Sequence, residues 1–140
     1  MSKRNQQVRD INGVVLLDKA SGSSSNHVLQ QVKRLFGANK AGHTGSLDPL
    51  ASGLLPICLG QATKVAQFLL DSDKRYFVRA KFGQISSTGD SEGKITNFGS
   101  TQGIEEGSIK TILSKFVGNI NQVPPMYSAL KRNGTPLYKL

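Results

Sequence analysis

Hydrophobic and polar positions change period several times along the 140-residue chain, and each change marks an element. The run Ile11 to Leu17, INGVVLL, is β-rich and continuous, and it predicts a buried strand closing at Asp18 and Lys19. A Ser-rich loop follows, offering Ser24 or Ser25 as the N-cap of a helix. In that helix Val28, Val32, Leu35 and Phe36 share one face, Lys33 and Arg34 lie opposite, and Gly37 stands where the helix should stop. LLPICLG is a second apolar run, which Pro56 restricts to a sheet edge or a bulge because proline brings no N–H to a ladder.

QATKVAQFLLDSDK reads as a helix with Val65, Ala66, Leu69 and Leu70 inward. KRYFVRAKFGQ, residues 74–84, alternates with period two: Tyr76, Val78, Ala80 and Phe82 on one face, Phe77, Arg79 and Lys81 on the other. It predicts a strand, followed by the turn SSTGDSEGK and a paired return strand in KITNFG. Ile109, Ile112, Leu113, Phe116 and Val117 recur at helical spacing behind Glu105 and Glu106, whose charge suits a helix N-terminus. The remainder predicts an extended segment, a hairpin turn at Asn133-Gly134, and the start of another strand. Helices and strands mix without βαβ regularity, so the predicted class is α+β, in one domain without repeats or linkers. The sequence stops at NGTPLYKL, within an element, and is expected to be part of a longer chain whose absence leaves a strand edge open.

Charge narrows the function classes. Eighteen Lys and Arg against nine Asp and Glu give a formal net charge of +9. The excess comes in clusters: Lys3, Arg4 and Arg9; Lys33, Arg34 and Lys40; Lys74, Arg75, Arg79 and Lys81; Lys131 and Arg132. Clustered cations favour a nucleic-acid partner, since each cation placed on a phosphate releases condensed counterions. No apolar run approaches the roughly 18 residues of a membrane span, and the basic start lacks the apolar core and cleavage site of a secretory signal. A cytoplasmic address is expected. Cys58, the sole cysteine, sits among apolar neighbours and reads as a buried small hydrophobe rather than a reactive thiol. His27 and His43 are far apart without ligand-like spacing, so no metal is expected, and His27 reads as a surface residue.

One acid stands alone. In AGHTGSLDPLASGLLPI, residues 41–57, Asp48 lies in a Gly/Ser/Pro loop whose nearest acids in sequence are Asp18 and Asp71. Ahead of Pro49 it could simply cap a turn. Alternatively, Gly42, Gly45 and Gly53 allow close approach of a ligand to the main chain, His43 adds a flat polar ring, and the carboxylate does chemistry on a polyanion. Chemistry on a base requires extruding it, and extruded bases are held by stacking on aromatic rings. Tyr76 is a candidate ring, and periodicity suits equally a tyrosine anchored in the core.

GHTGSLDPLASGLLPI resembles the central motif of the TruB family of tRNA pseudouridine synthases. The match continues through DINGVVLLDKASGSSSN, KRYFVRAKFG and GNINQVPPMYSALKRNGTPLY. The resemblance implies the pseudouridine synthase fold, a mixed, mainly antiparallel sheet flanked by helices, here incomplete. It implies that Asp48 is the nucleophile that isomerises uridine 55 in the TΨC loop of tRNA, attacking C1′ or removing a 2′ proton, without metal or cofactor. His43 would lie against the flipped-out nucleotides, Tyr76 would stack on the target base, and Lys131 in SALK would lie near the site. The cationic clusters would hold stem and loop phosphates, and the protein is expected to be a monomer.

The family usually has proline where this chain has Ala20, a loss of local rigidity. Residues 1–140 would form the N-terminal part of the catalytic domain, without the remainder, its arginine partner for the aspartate, or the C-terminal PUA-type domain. Alone they are expected to be weakly active or inactive. Two other functions remain open: a non-catalytic tRNA-binding or RNA-folding module, and a guide-RNA-dependent relative, although the short basic N-terminus resembles the stand-alone bacterial enzymes.

Overall fold

The core is organised around a strand pair. In the computed structural model, which describes residues 8–128 and 130–137, β1 (Gly13–Lys19) runs antiparallel to β3 (Gly53–Leu59), from Gly13 opposite Leu59 to Lys19 opposite Gly53. A short β2 (Ala41–His43) pairs with the other side of β3, Ala41 opposite Leu59 and His43 opposite Ile57, so β3 is central. Period-two alternation sends Leu55, Ile57 and Leu59 to one face, where they are fully buried with Leu29 and Val32 of α1 (Ser25–Phe36), while Val15, Leu17 and Leu47 pack around them. Each such buried side chain contributes about 1.5–3 kcal/mol. On the opposite face only Cys58 is fully buried among the described residues, and Val14, Leu16 and Leu54 are exposed. The expected buried strand is therefore half-buried, because a single helix covers a single face of the sheet.

α1 starts and stops where its sequence signals lie. Ser24 is the N-cap, its Oγ accepting from the His27 amide at 3.2 Å, an interaction of about 1 kcal/mol. Gly37 takes the left-handed conformation (φ 65°), its amide donating to the Arg34 carbonyl while the Ala38 amide donates to Lys33, a Schellman closure with Ala38 buried behind it. Lys33 and Arg34 complement the dipole in the last turn. The buried face shares only Val32 and Phe36 with the expected one, and Val28 lies at its half-buried margin. It runs through Ser25, Leu29, Val32 and Phe36, and Leu35 is 76% exposed. At 100° per residue Leu35 stands roughly 80° round from Ser25, off the stripe.

Pro56 corrects a second expectation: its strand is central, not an edge. The Pro56 carbonyl accepts from the Thr44 amide at 3.3 Å, one residue beyond β2. A strand residue's N–H and C=O point to the same side, so the donor that proline lacks faces the place where β2 has already ended.

Residues 61–74 do not make the long helix their spacing suggests. A 3-10 turn (Gly60–Lys64) is followed by the five-residue α2 (Ala66–Leu70), and Val65, Leu69 and Leu70 are exposed. Residues 74–82 form no strand, and Tyr76, Phe77, Val78 and Phe82 are exposed. Both patterns lack the same thing, a neighbouring element among the described residues on which to bury their apolar side.

The chain divides into two units, Met1–Tyr76 and Phe77–Leu140. In the second, β4 (Gln84–Ser86) pairs antiparallel with β5 (Ile95–Asn97), which makes KITNFG the expected return strand. Its partner, however, lies at 84–86 and shares only Gln84 with the alternating stretch. In the intervening turn the Asp90 carboxylate accepts from the Thr88 hydroxyl and the Glu92 amide, and these bonds hold its pKa below the usual carboxylate value. α3 (Glu106–Leu113) continues as a 3-10 turn to Phe116, so the expected helix is present, but Ile112, Leu113, Phe116 and Val117 are exposed. β6 (Lys131–Arg132) and β7 (Thr135–Pro136) are joined by Asn133 and Gly134, both at positive φ (52° and 81°), as a type I′ turn demands. Among the described residues of this unit none is buried.

Gly60 ends β3 in the left-handed region (φ 57°), and a Cβ there would collide with the Ile11 carbonyl and the Asn12 side chain. Gly60→Ala is expected to lower stability by about 1–3 kcal/mol, read as a reduced urea midpoint at unchanged slope.

Candidate functional site

The loop that carries Asp48 joins β2 to β3 at the end of the sheet where β1 finishes. It folds as a turn closed by the main chain: the Ala51 amide donates to the Asp48 carbonyl at 3.1 Å, with Pro49 at the second position. The Asp48 side chain is not used in that closure. It is exposed, and its carboxylate has no hydrogen bond or ion pair among the described residues. The turn anticipated from Asp-Pro exists, but backbone atoms close it and the carboxylate is left for other partners.

Residues on both sides of Asp48 are held firmly. Leu47 packs its side chain against the core, and the hydroxyl of Ser25 donates to the Leu47 carbonyl and accepts from the Leu47 amide, both at 2.9 Å. On the far side the Pro49 carbonyl accepts from the Gly22 amide at 2.7 Å and from Lys19 Nζ at 3.4 Å. Lys19 is 1% exposed, and its ammonium also donates to the carbonyls of Ser23 (2.8 Å) and Ala20 (3.0 Å). A buried ammonium is tolerable only when so satisfied, and here it draws the loop after β1 and the Asp48 loop together. Sequence reasoning missed both anchors. Ser25 is visible there only as one of two cap candidates, and Lys19 only as the end of a strand.

The other expected site residues are placed less closely. His43 is the last residue of β2, half-buried, with its Nδ1 enclosed and without a hydrogen-bond partner among the described residues. Tyr76 is 63% exposed, so it is not a core anchor. Its segment does reach the loop: a Cβ built on Gly45 would lie 3.8 Å from Cε of Lys74, whose Nζ donates to the carbonyls of Leu70 and Ser72. Lys131 belongs to β6 in the second unit, and its side chain lies outside the described part of the structure. His27 is exposed, as expected.

At the other end of β3, about 20 Å away along a seven-residue strand, a polar cavity of about 250 Å³ gathers Arg9, Asp10, Asn12, Lys40, Gln61 and Lys64. Arg9 is brought there by a bridge to Ala38, its amide donating to the Gly37 carbonyl at 2.7 Å. Three cations from separated stretches thus converge on one hollow beside a single acid, Asp10, whose carboxylate accepts from the Asn12 side-chain amide at 3.2 Å. Among the described residues no group of three or more His, Cys, Asp or Glu could hold a metal ion, and no helix is long and apolar enough to cross a membrane. Cys58 is fully buried and burial pushes its thiol up, as its apolar neighbours suggested.

Lys19→Met removes the donor shared by three carbonyls, and it is expected to cost roughly 1–3 kcal/mol in urea unfolding. Native Cys58 is expected to resist a thiol reagent at neutral pH and to react fully once the chain is unfolded in urea.

A family model described as "TruB family pseudouridylate synthase (N terminal domain)" matches residues 33–140. The chain is 55% identical over 140 residues to "tRNA pseudouridine synthase B" of Saccharophagus degradans, and 59% identical over 139 residues to the protein of that name from Actinobacillus pleuropneumoniae. All or nearly all of this chain is covered in these matches, yet it spans only 45% of the length of each relative. Among solved structures, it resembles a chain of an H/ACA RNP bound to a substrate RNA containing 2'-deoxyuridine, with 32% identity and TM-score 0.54 over 79% of this chain and 29% of the other. It also resembles a chain of a Cbf5-Nop10-Gar1 complex, with 29% identity and TM-score 0.56 over 89% of this chain and 32% of the other. The sheet with its packed helix is thus a partial pseudouridine synthase fold, and the chain belongs to the TruB family of pseudouridylate synthases.

Proposed function

We propose that these residues are the N-terminal part of the catalytic domain of a tRNA pseudouridine synthase that converts uridine 55 of the TΨC loop to pseudouridine, with Asp48 as the nucleophile. The observation that carries this reading is the Asp48 carboxylate itself: exposed, uncommitted, and mounted on a backbone fixed on both sides. In a chain of net charge +9, an acid that must meet a polyanion works against binding unless it reacts.

In this reaction the N1–C1′ bond breaks, the uracil turns within the site, and a C5–C1′ bond forms, after which C5 loses its proton and N1 gains one. In between, the carboxylate either bonds C1′ as an ester whose C1′–O bond breaks as C5 bonds, or takes the 2′ proton to give a glycal and returns it to C2′ as C5 bonds. All atoms of the nucleotide are retained, so no co-reactant is required. His43, at the base of the same loop, would lie against the extruded nucleotides, and the exposed ring of Tyr76 is free to stack on the base. Lys131 would lie near the site on the strength of the SALK motif alone. The hollow of Arg9, Lys40 and Lys64 suits phosphates of the T stem. The protein would act as a cytoplasmic monomer without cofactor. An arginine from the remainder of the domain would orient Asp48, and so residues 1–140 alone would be weakly active or inactive. The Arg9, Lys40 and Lys64 hollow by itself would equally serve a non-catalytic tRNA-binding module, which the following variants separate.

Pseudouridine is mapped to the nucleotide in an unmodified T-stem-loop RNA, using residues 1–140 and the intact gene product. The intact product is expected to modify uridine 55 and residues 1–140 to modify it weakly or not at all. Asp48→Asn in the intact product is expected to abolish modification with RNA affinity retained; modification at the parent rate would refute the nucleophile. Lys40→Glu with Lys64→Glu is expected to weaken RNA binding and to flatten its salt dependence by roughly 0.9 log units per log unit of salt for each phosphate that is no longer neutralised. Unchanged affinity and slope would remove the hollow from the RNA interface.

A further inference from the structure

We propose that Ser25 is a positioning residue for Asp48: its side chain sets the peptide that precedes the carboxylate. The proposal rests on the reading of Asp48 as the nucleophile. Ser25 opens α1, 4% exposed, on the same stripe as the buried Leu29 and Val32. It does not cap the helix, because Ser24 already does so through the His27 amide. Its hydroxyl is instead turned to a residue 22 positions away, using donor and acceptor capacity together on Leu47, 2.9 Å to the carbonyl and 2.9 Å to the amide. That pairing replaces a strand partner at a point where no strand runs.

The Leu47 carbonyl belongs to the peptide unit whose nitrogen is that of Asp48. Holding it fixes the plane from which the Asp48 Cα departs, while the Leu47 side chain is gripped by the core. With the Pro49 carbonyl held on the other side and the turn closed by the Ala51 amide, the freedom left at Asp48 is largely that of its own χ angles. A reaction that needs a carboxylate within bonding reach of C1′ is sensitive to displacement: a misplacement of about 1 Å costs on the order of 100-fold in rate. Binding of the RNA, spread over many cations, is not sensitive in that way.

The test uses the intact gene product with three Ser25 variants and Asp48→Asn. Ser25→Ala is expected to lower the single-turnover rate on a T-stem-loop RNA on the order of 10- to 100-fold with RNA affinity unchanged, and Ser25→Thr, which keeps the hydroxyl, to recover it. Hydrogen exchange on Ser25→Ala is expected to speed at the Leu47 amide while the Leu29 and Val32 amides keep their protection. A parent-like rate, or a slowed rate with Leu47 exchange unchanged, overturns the proposal. Should the alanine variant unfold, Leu29 and Val32 lose protection as well, and Ser25→Cys decides: near in volume but a weak hydrogen bonder, it must be slower than Ser25→Thr, and equal rates overturn the proposal. Asp48→Asn measured alongside keeps the two readings apart, since a parent-like rate there refutes the nucleophile whatever Leu47 exchange shows.

Discussion

The antiparallel pairing of β3 between β1 and β2 is the constraint from which the rest of the first unit follows. Because Leu55, Ile57 and Leu59 are buried under α1, the strand cannot slip by one residue without turning all three to solvent. A fixed register fixes both ends. At Gly53 it delivers the Asp48 loop beside the end of β1, within reach of Lys19, and at Leu59 it delivers Gly60 against Ile11 and Asn12. The Asn12 side chain then accepts from the Gln61 amide at 2.6 Å, which places the 3-10 turn that brings Lys64 to the basic hollow. The acid and the cations are therefore spaced by one strand of defined length, not by independent loops.

The division of labour at the Asp48 loop is electrostatic as well as steric. Its anchors are a neutral hydroxyl, a backbone amide and one ammonium that donates to three carbonyl oxygens, so none of them bonds the carboxylate. A direct ion pair from Lys19 would have tethered the loop more simply, but it would also have occupied the exposed carboxylate. Cation and anion are kept apart by turning the Lys19 ammonium to main-chain oxygens.

What was legible in the sequence was what local chemistry decides. α1 shows its cap serines and Gly37, and the β6–β7 hairpin shows Asn133-Gly134, since the left-handed conformations these turns require are selected by neighbouring residues themselves. The stretch 74–82 failed for the opposite reason. A period-two pattern states which side of a strand is apolar, but ladder bonds come from another strand, and none pairs with it among the described residues. Val65, Leu69 and Leu70 repeat the lesson for a helix.

The candidate site divides along the same line. Asp48 stood out because a lone acid in a Gly/Ser/Pro loop of a basic chain is visible one residue at a time. Ser25 and Lys19 did not, because their partners lie 22 and 30 residues distant and a serine before a helix already has an ordinary explanation. The neighbouring Ser24 resolves that ambiguity only in three dimensions: once it takes the cap, Ser25 turns inward with the buried stripe of α1, and the core that holds the sheet also holds the peptide before Asp48. Packing energy is thereby passed to a solvent-exposed carboxylate without burying it, which leaves the acid both placed and accessible.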